Sequence, residues 1–401
     1  MSVRSFSDES KNARSVKESV TTMLTGMVTL IVVMGMGRFS LTPQIPLMIV
    51  GGHLNLSSAG ILAAMNYIGY LGGAVHVSRL RSHHAYYLKA GLLATALVTL
   101  LSGFTESFML QCLYRFIAGV GGAWALIIVT SWTQMSLSIL NAPRMSAAVF
   151  TGPGIGIAIT GLIAWFLAGY HADAGQAWMV YGSAAIVCTT LVWKKLPMTL
   201  PVRQAESQPV AVSRDLKILL VAYTLAGFGY ILPATFLSQM ARDIFARGEL
   251  AAFFWPLFGL SAVAGVLLVI AFASHFNTRN SLALTMVLQG VGVAMPVLMP
   301  GAAGLCIATV MTGLGFLSIM QLTMKLARQI TAGPVATTVA LLTSGYALGQ
   351  LTGPLVSSFS VSLTGSLQVA LLIAAVGLIV GGGMIFSCMN SAGRSAFDLK
   401  R

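Results

Sequence analysis

Two arginines stand inside apolar runs, Arg38 in Gly35-Met-Gly-Arg38-Phe and Arg115 in Cys112-Leu-Tyr-Arg115-Phe-Ile. Ionisable side chains at such depth in a membrane are costly and usually functional. The ten acids lie elsewhere: Asp8, Glu9, Glu18, Glu106, Asp173, Glu206, Asp215, Asp243, Glu249 and Asp398 fall in tails, loops or the ends of apolar runs. Arginine is effectively always protonated. Two such groups without acids beside them need water, backbone carbonyls or an anion to offset their charge. Enzyme templates fail, for there is no His-Glu-x-x-His, no Gly-x-Ser-x-Gly and no lysine in a phosphate-binding glycine loop. Cys112, Cys188, Cys306 and Cys388 all lie in apolar runs, without metal or disulfide spacing. No catalytic residue, metal site or cofactor is expected.

Arg38 sits about ten residues before the end of its run and Arg115 about eight after the start of its own, so both lie roughly 12–15 Å from one face. Two readings are open for Arg115: it bonds backbone carbonyls of the first helix and holds the bundle together, or it handles solute or protons directly. Arg38 is too deep to reach the surface easily and reads as functional. Asn66, Tyr70, Trp124, Tyr230, Gln321, Tyr346 and Gln350 are further candidates for a solute cavity. Asn66 and Tyr70 are four residues apart, as are Tyr346 and Gln350, so each pair shares a helix face. The alternative for each is ordinary packing between helices. His76, His83, His84 and His275 fall at span edges and read as solvated.

The elements that position these residues follow from composition. The chain is 56% hydrophobic and 8% charged, whereas soluble domains carry about 25% charged residues. A span needs about 20 apolar residues to cross roughly 30 Å of hydrocarbon. Twelve such runs are found: 22–48, 57–77, 85–103, 107–136, 145–169, 175–194, 216–241, 250–274, 280–299, 303–328, 334–361 and 365–389. A polar linker, 195–215, separates a six-span unit at 22–194 from a second at 216–389, with tails at 1–21 and 390–401. The first run has no small-residue cleavage site before it and reads as a retained helix. If both termini are cytoplasmic, 19 Lys and Arg face that side and only Arg242 and Arg247 the other. The positive-inside rule then places both ends in the cytoplasm. The net charge of +13 is spread among short loops, so nucleic acid is not an expected partner; lipid, a small solute and protons are, and a monomer is expected.

The two units echo each other. Cys112, Gly119 and Gly121 recur as Cys306, Gly313 and Gly315 at an offset of 194 residues. Gly35-Met-Gly37 recurs as Gly227-Phe-Gly229 at 192, and Gly152-Pro153 as Gly353-Pro354 at 201. Duplicated units are the architecture of carriers that rock two bundles about a central site.

At this point the chain resembles the major facilitator superfamily over nearly its whole length. Arg115-Phe-Ile-Ala-Gly119-Val-Gly121-Gly122 resembles that family's fourth-helix arginine–glycine motif. Gly152-Pro153-Gly154-Ile-Gly156 and Gly345-xxx-Gly349-xxx-Gly353-Pro354 resemble the glycine–proline motif of its exporters. Gly35-Met-Gly-Arg38-Phe-Ser-Leu-Thr-Pro43, Asn66-Tyr-Ile-Gly-Tyr70 and Gly227-Phe-Gly-Tyr230-Ile-Leu-Pro233 are similar to the YbfB/YjiJ-like branch. The segment Gly72–Arg81 keeps the basic residues of the family's second loop but lacks its aspartate, so that gating role is not carried over. The resemblance implies an all-α fold of two six-helix bundles, with the first and fourth spans lining the cavity. It implies a secondary active exporter in the bacterial inner membrane, working by alternating access, with protons the usual energy source. No acid in a span interior supports proton coupling here. An anionic or amphipathic solute bridging Arg38 and Arg115, with Tyr230 opposite, is the expected cargo. A non-transporting receptor or scaffold on the same fold is the alternative. Both glycine–proline motifs are expected to bend their helices.

Overall fold

The computed structural model describes residues 3–199, 213–245, 248–272, 275–331 and 335–389. The middle of the expected linker (200–212), Arg247 and the tail 390–401 lie outside the described residues. Twelve long helical segments account for most of the rest. In the N-terminal half they are α1 (Ser15–Val50), α2 (Leu56–Arg79), α3 (His84–Phe104), α4 (Phe108–Ile139), α5 (Pro143–Gly169) and α6 (Ala174–Trp193). In the C-terminal half they are α7 (Arg214–Ile244), α8 (Leu250–Phe272), α9 (Thr278–Leu298), α10 (Ala302–Ile330), α11 (Val335–Thr364) and α12 (Gln368–Cys388). Twelve crossings return the chain to the face from which α1 starts, called here the terminus face.

Ten of these helices are long and apolar enough to cross a membrane by themselves; α2 and α11 are more polar. These two pack against each other across the boundary between the halves. A helix covered by protein on that side needs less apolar surface than one facing lipid. Two helices begin at the opposite face on reciprocal caps. The Asn55 side chain accepts from the Ser58 amide at 2.8 Å while the Ser58 hydroxyl accepts from the Asn55 amide. Asp173 and Gln176 do the same at the start of α6.

The echo in the sequence is an echo in packing. A side chain on Gly119 would meet the Asn66 carbonyl of α2 at 2.1 Å, and one on Gly313 the Phe258 carbonyl of α8 at 2.7 Å. Gly121 lies against Gly91 of α3, and its counterpart Gly315 against Gln289 of α9. Equivalent small residues thus let equivalent helices approach in both halves, as membrane bundles require. Gly122 is roomier, with only the Val33 carbonyl at 3.8 Å. Gly349 and Gly353 seat α11 on α7, and Gly152 seats α5 on α1.

Besides α2–α11, the halves meet along α5–α8 and α1–α7. Toward the opposite face this boundary is packed shut. Ser57 of α2 and Ser358 of α11 clasp each other, with hydroxyls 3.0 Å apart and the Ser358 hydroxyl donating to the Ser57 carbonyl at 2.9 Å. Thr42 of α1 donates to the Ala234 carbonyl of α7 at 2.7 Å. Trp255 of α8 donates to Thr160 of α5 at 3.3 Å.

The two glycine–proline positions differ in local structure. In α5 a 3-10 turn, Val149–Thr151, interrupts the helix just before Gly152-Pro153. In α11, Pro354 sits inside an unbroken helix. Ser357 and Ser358 supply hydroxyls there, Ser357 donating to the Gly353 carbonyl at 3.0 Å.

Candidate functional site

The site is built on an irregularity of α1. Residues Ile31–Phe39 form a π-helix, within which lie Gly35, Gly37 and Arg38. Pro43 and Pro46 follow, and each lacks the amide proton that the carbonyl four residues earlier would take. Within the π segment Gly35 approaches Gly156 of α5, whose Cα is 2.5 Å from a side chain built at Gly35. Such π segments recur at functional sites, where they re-aim side chains.

Arg38 comes off this segment at the boundary between the halves and is 7% exposed. Its guanidinium lies over the rings of Tyr67 at 4.4 Å and Tyr70 at 5.0 Å, both on α2. From the other half, Gln350 of α11 accepts a hydrogen bond from Arg38 Nη2 at 2.8 Å. Gln350 Nε2 in turn donates to the Tyr230 hydroxyl on α7. Tyr230 is stacked between Phe316 of α10, at 4.4 Å and 14°, and Tyr346 of α11, at 5.7 Å and 9°. Tyr223 stacks on Tyr346 at 4.4 Å. A small cavity beside the guanidinium is lined by Arg38, Thr42, Asn66, Tyr67 and Thr235, with room for about one water. Arg38 Nε is buried without a hydrogen-bond partner.

Arg115 is placed differently. It is 0% exposed, donates to the Gly37 carbonyl at 2.9 Å and lies 4.5 Å over the Trp178 ring of α6. Both partners belong to the N-terminal half, and Arg115 is not brought together with Gln350 and Tyr230. Among the described residues neither arginine has an acidic partner. At the opposite face His53 Nδ1 lies 3.8 Å from a Glu106 carboxylate oxygen.

Of the sequence candidates, Arg38, Tyr70, Tyr230, Tyr346 and Gln350 come together. Asn66 joins the cavity wall but spends its amide on the Arg115 carbonyl at 3.0 Å. Trp124 stands apart, in an aromatic cluster with His76 at 5.3 Å and Tyr87 at 5.0 Å near the terminus face. His76 is half-buried against these rings, with a buried Nδ1. Gln321 is half-buried on α10 and joins none of these contacts. Sequence reasoning missed Tyr67, Phe316 and Tyr223. The seven-residue spacing of Tyr223 and Tyr230 on one helix face was a usable signal; Tyr67 and Phe316 carried none beyond their type.

Known proteins agree with this architecture. A family model described as "Uncharacterised MFS-type transporter YbfB" matches residues 30–386. The membrane sensor protein UhpC of Escherichia coli (strain K12) is 32% identical over 102 residues, a match spanning 24% of this chain and 23% of that relative's length. Among solved structures, a point mutant of the nucleoside transporter NupG superposes with a TM-score of 0.72 at 13% identity, covering 93% of this chain and 100% of the other. A bacterial homolog of the human lysosomal transporter Spinster, inward-facing and unoccupied, gives 0.69 at 12% identity over 92% of this chain and 96% of the other. The structural likenesses establish the twelve-helix fold, and the family match makes this chain a member of the YbfB-type transporters of the major facilitator superfamily.

Proposed function

We propose that this membrane transporter exports a small organic anion by alternating access, with Arg38 as the group that holds the solute's charge. The observation that carries the reading is the position of Arg38. It is a permanent cation, almost fully buried, at the boundary of the two halves, with no acid beside it among the described residues. Burying an unmatched charge costs several kcal/mol even after relaxation, and an anion offsets that cost where a neutral amide does so only weakly. The rings of Tyr67, Tyr70, Tyr230 and Phe316 suit an apolar body behind the charged group. Arg115 is read as a fastener of α4 to α1.

The 19 to 2 distribution of Lys and Arg supports a bacterial inner-membrane protein with cytoplasmic termini. In that orientation the packed Ser57–Ser358 end faces outward and the solute reaches Arg38 from the cytoplasm, the loading side of an exporter. Cysteines at Ser82 and at Asn55 should then be labelled from the cytoplasm and from outside, respectively. If protons drive the cycle, they bind at Glu106, Asp173, Asp243 or Glu249 (whose side chain lies outside the described residues), at a histidine, or on the solute itself.

The test is a thermal-shift screen of the purified protein against carboxylates, nucleosides and organic cations, followed by flux in proteoliposomes. A ligand at 100 times its dissociation constant stabilises the folded state by about 2.7 kcal/mol. Anions should raise the melting temperature and then move across the bilayer. A set of stabilisers that is purely cationic would sink the anion reading. The UhpC match favours one second reading, a receptor that binds without transport; binding without flux would favour it.

A further inference from the structure

Gln350 occupies the place a ligand would take. Its orientation is determined, because a guanidinium only donates: Oε1 must face Arg38, which leaves Nε2 for the Tyr230 hydroxyl. The side chain is 2% exposed. A carboxamide and a carboxylate share one planar shape. A carboxylate in this position would take Arg38 Nη2 with one oxygen. The other oxygen would take the unpartnered Arg38 Nε, so the bound group is held by the N-terminal half alone. The exchange gives Arg38 Nε a partner and replaces a neutral acceptor with an ionised one, whose hydrogen bond to a guanidinium is about twice as strong. An amide or alcohol has no such advantage over Gln350. A phosphate or phosphonate dianion would meet one guanidinium with one charge left over, because the described partners of Arg115 are Gly37 and Trp178.

The displaced bond is also a tie between the halves. Arg38 is on α1 and Gln350 on α11, 312 residues apart. The other crossing bonds among the described residues, Ser57–Ser358, Thr42–Ala234 and Trp255–Thr160, lie nearer the opposite face. We infer that the solute's recognised group is a single carboxylate, that Gln350 is its built-in competitor, and that displacing Gln350 breaks the Arg38 tie and frees the halves to part. This rests on the reading of Arg38 as an anion site, to which it adds the headgroup and the residue that enforces it. Neutral compounds leave the tie closed. A carboxylate opens it by occupying it, so loading and release of the halves are one event.

The experiment measures distances between spin labels at the opposite face, on the purified full chain with its four cysteines replaced by serine. Val50→Cys on α1 and Leu363→Cys on α11, 70% and 69% exposed, carry the labels. With nothing added, Gln350→Met keeps the side-chain length but removes the tie, and should raise the separated population by about tenfold, as loss of one hydrogen bond to a charged group would. Gln350→Ala should do the same. Gln350→Glu makes an ion pair with Arg38 and should lower that population. Sodium benzoate should shift the wild type toward separation, while benzamide and phenylphosphonate should not, and Gln350→Glu should blunt the response to benzoate. Wild-type distributions in the Met and Glu variants, or the reverse order, would overturn the tie. That arm uses no ligand, so its failure is separable from failure of the anion reading. A response to benzamide or phenylphosphonate equal to that to benzoate would overturn the carboxylate assignment. So would a wild type that ignores acetate, benzoate and decanoate alike.

Discussion

Arg38 and Arg115 are the same residue type at similar depth on contacting helices, yet their surroundings differ in one decisive respect. The described partners of Arg115, the Gly37 carbonyl and the Trp178 ring, lie within its own half. Those contacts survive any rigid movement of one half against the other. Arg38 shares its charge between the rings of α2 and an amide of α11. That arrangement must change whenever the halves part. On the proposed alternating-access cycle, a buried cation whose partners move with it would fasten a bundle, and one whose partners lie across the boundary would respond to what sits there.

The largest effect expected of this difference is on transport. Arg38→Ala should abolish flux of the anion in proteoliposomes while the protein still folds and inserts, with some loss of stability because the buried Gln350 Oε1 loses its donor. Residual flux near wild type would erase the distinction. Arg115→Ala should lower thermal stability by about 1–3 kcal/mol through an orphaned buried carbonyl, with ligand affinity nearly unchanged. An unchanged melting curve with lost binding would exchange the two roles. Tyr67→Leu removes the nearest ring from the Arg38 guanidinium, and a cation–π contact of about 0.5–2 kcal/mol implies an affinity loss of about two- to thirtyfold. Loss of fold rather than affinity, seen as poor monodispersity, would make Tyr67 structural. The smallest effect belongs to the clasp. Ser57→Ala removes hydroxyl bonds of about 1 kcal/mol and should speed labelling of a cysteine at Thr235 from the opposite face by up to about fivefold. An unaltered rate would mean that the clasp contributes nothing to the seal.

Much of the fold was legible because hydrocarbon imposes so simple a rule on composition. The expected runs 85–103 and 175–194 became His84–Phe104 and Ala174–Trp193. The repeated glycines were legible too, since close approach of backbones tolerates little else. Depth along a helix was readable and rotation about it was not. Trp124 and Gln321 therefore looked like cavity residues, yet one packs on His76 and Tyr87 and the other stands aside. Asn66 and Tyr70 share a face by spacing, but it is Tyr67 and Tyr70 that cover Arg38. The π segment was hidden because no residue type in Ile31–Phe39 marks one, and the close approach of α5 at Gly156 is a tertiary contact that sequence spacing does not show. One pattern was present and unread: α2 and α11, the least apolar spans, are partners across the boundary.

The central claim is that Arg38, and not Arg115, holds the solute's charge. The direct measurement is the ligand-induced rise in melting temperature for an anion that stabilises the wild type, read side by side in Arg38→Ala and Arg115→Ala. The account predicts a lower starting temperature but an undiminished rise in Arg115→Ala, and no rise in Arg38→Ala. A full rise in Arg38→Ala, at the same anion concentration, would contradict it.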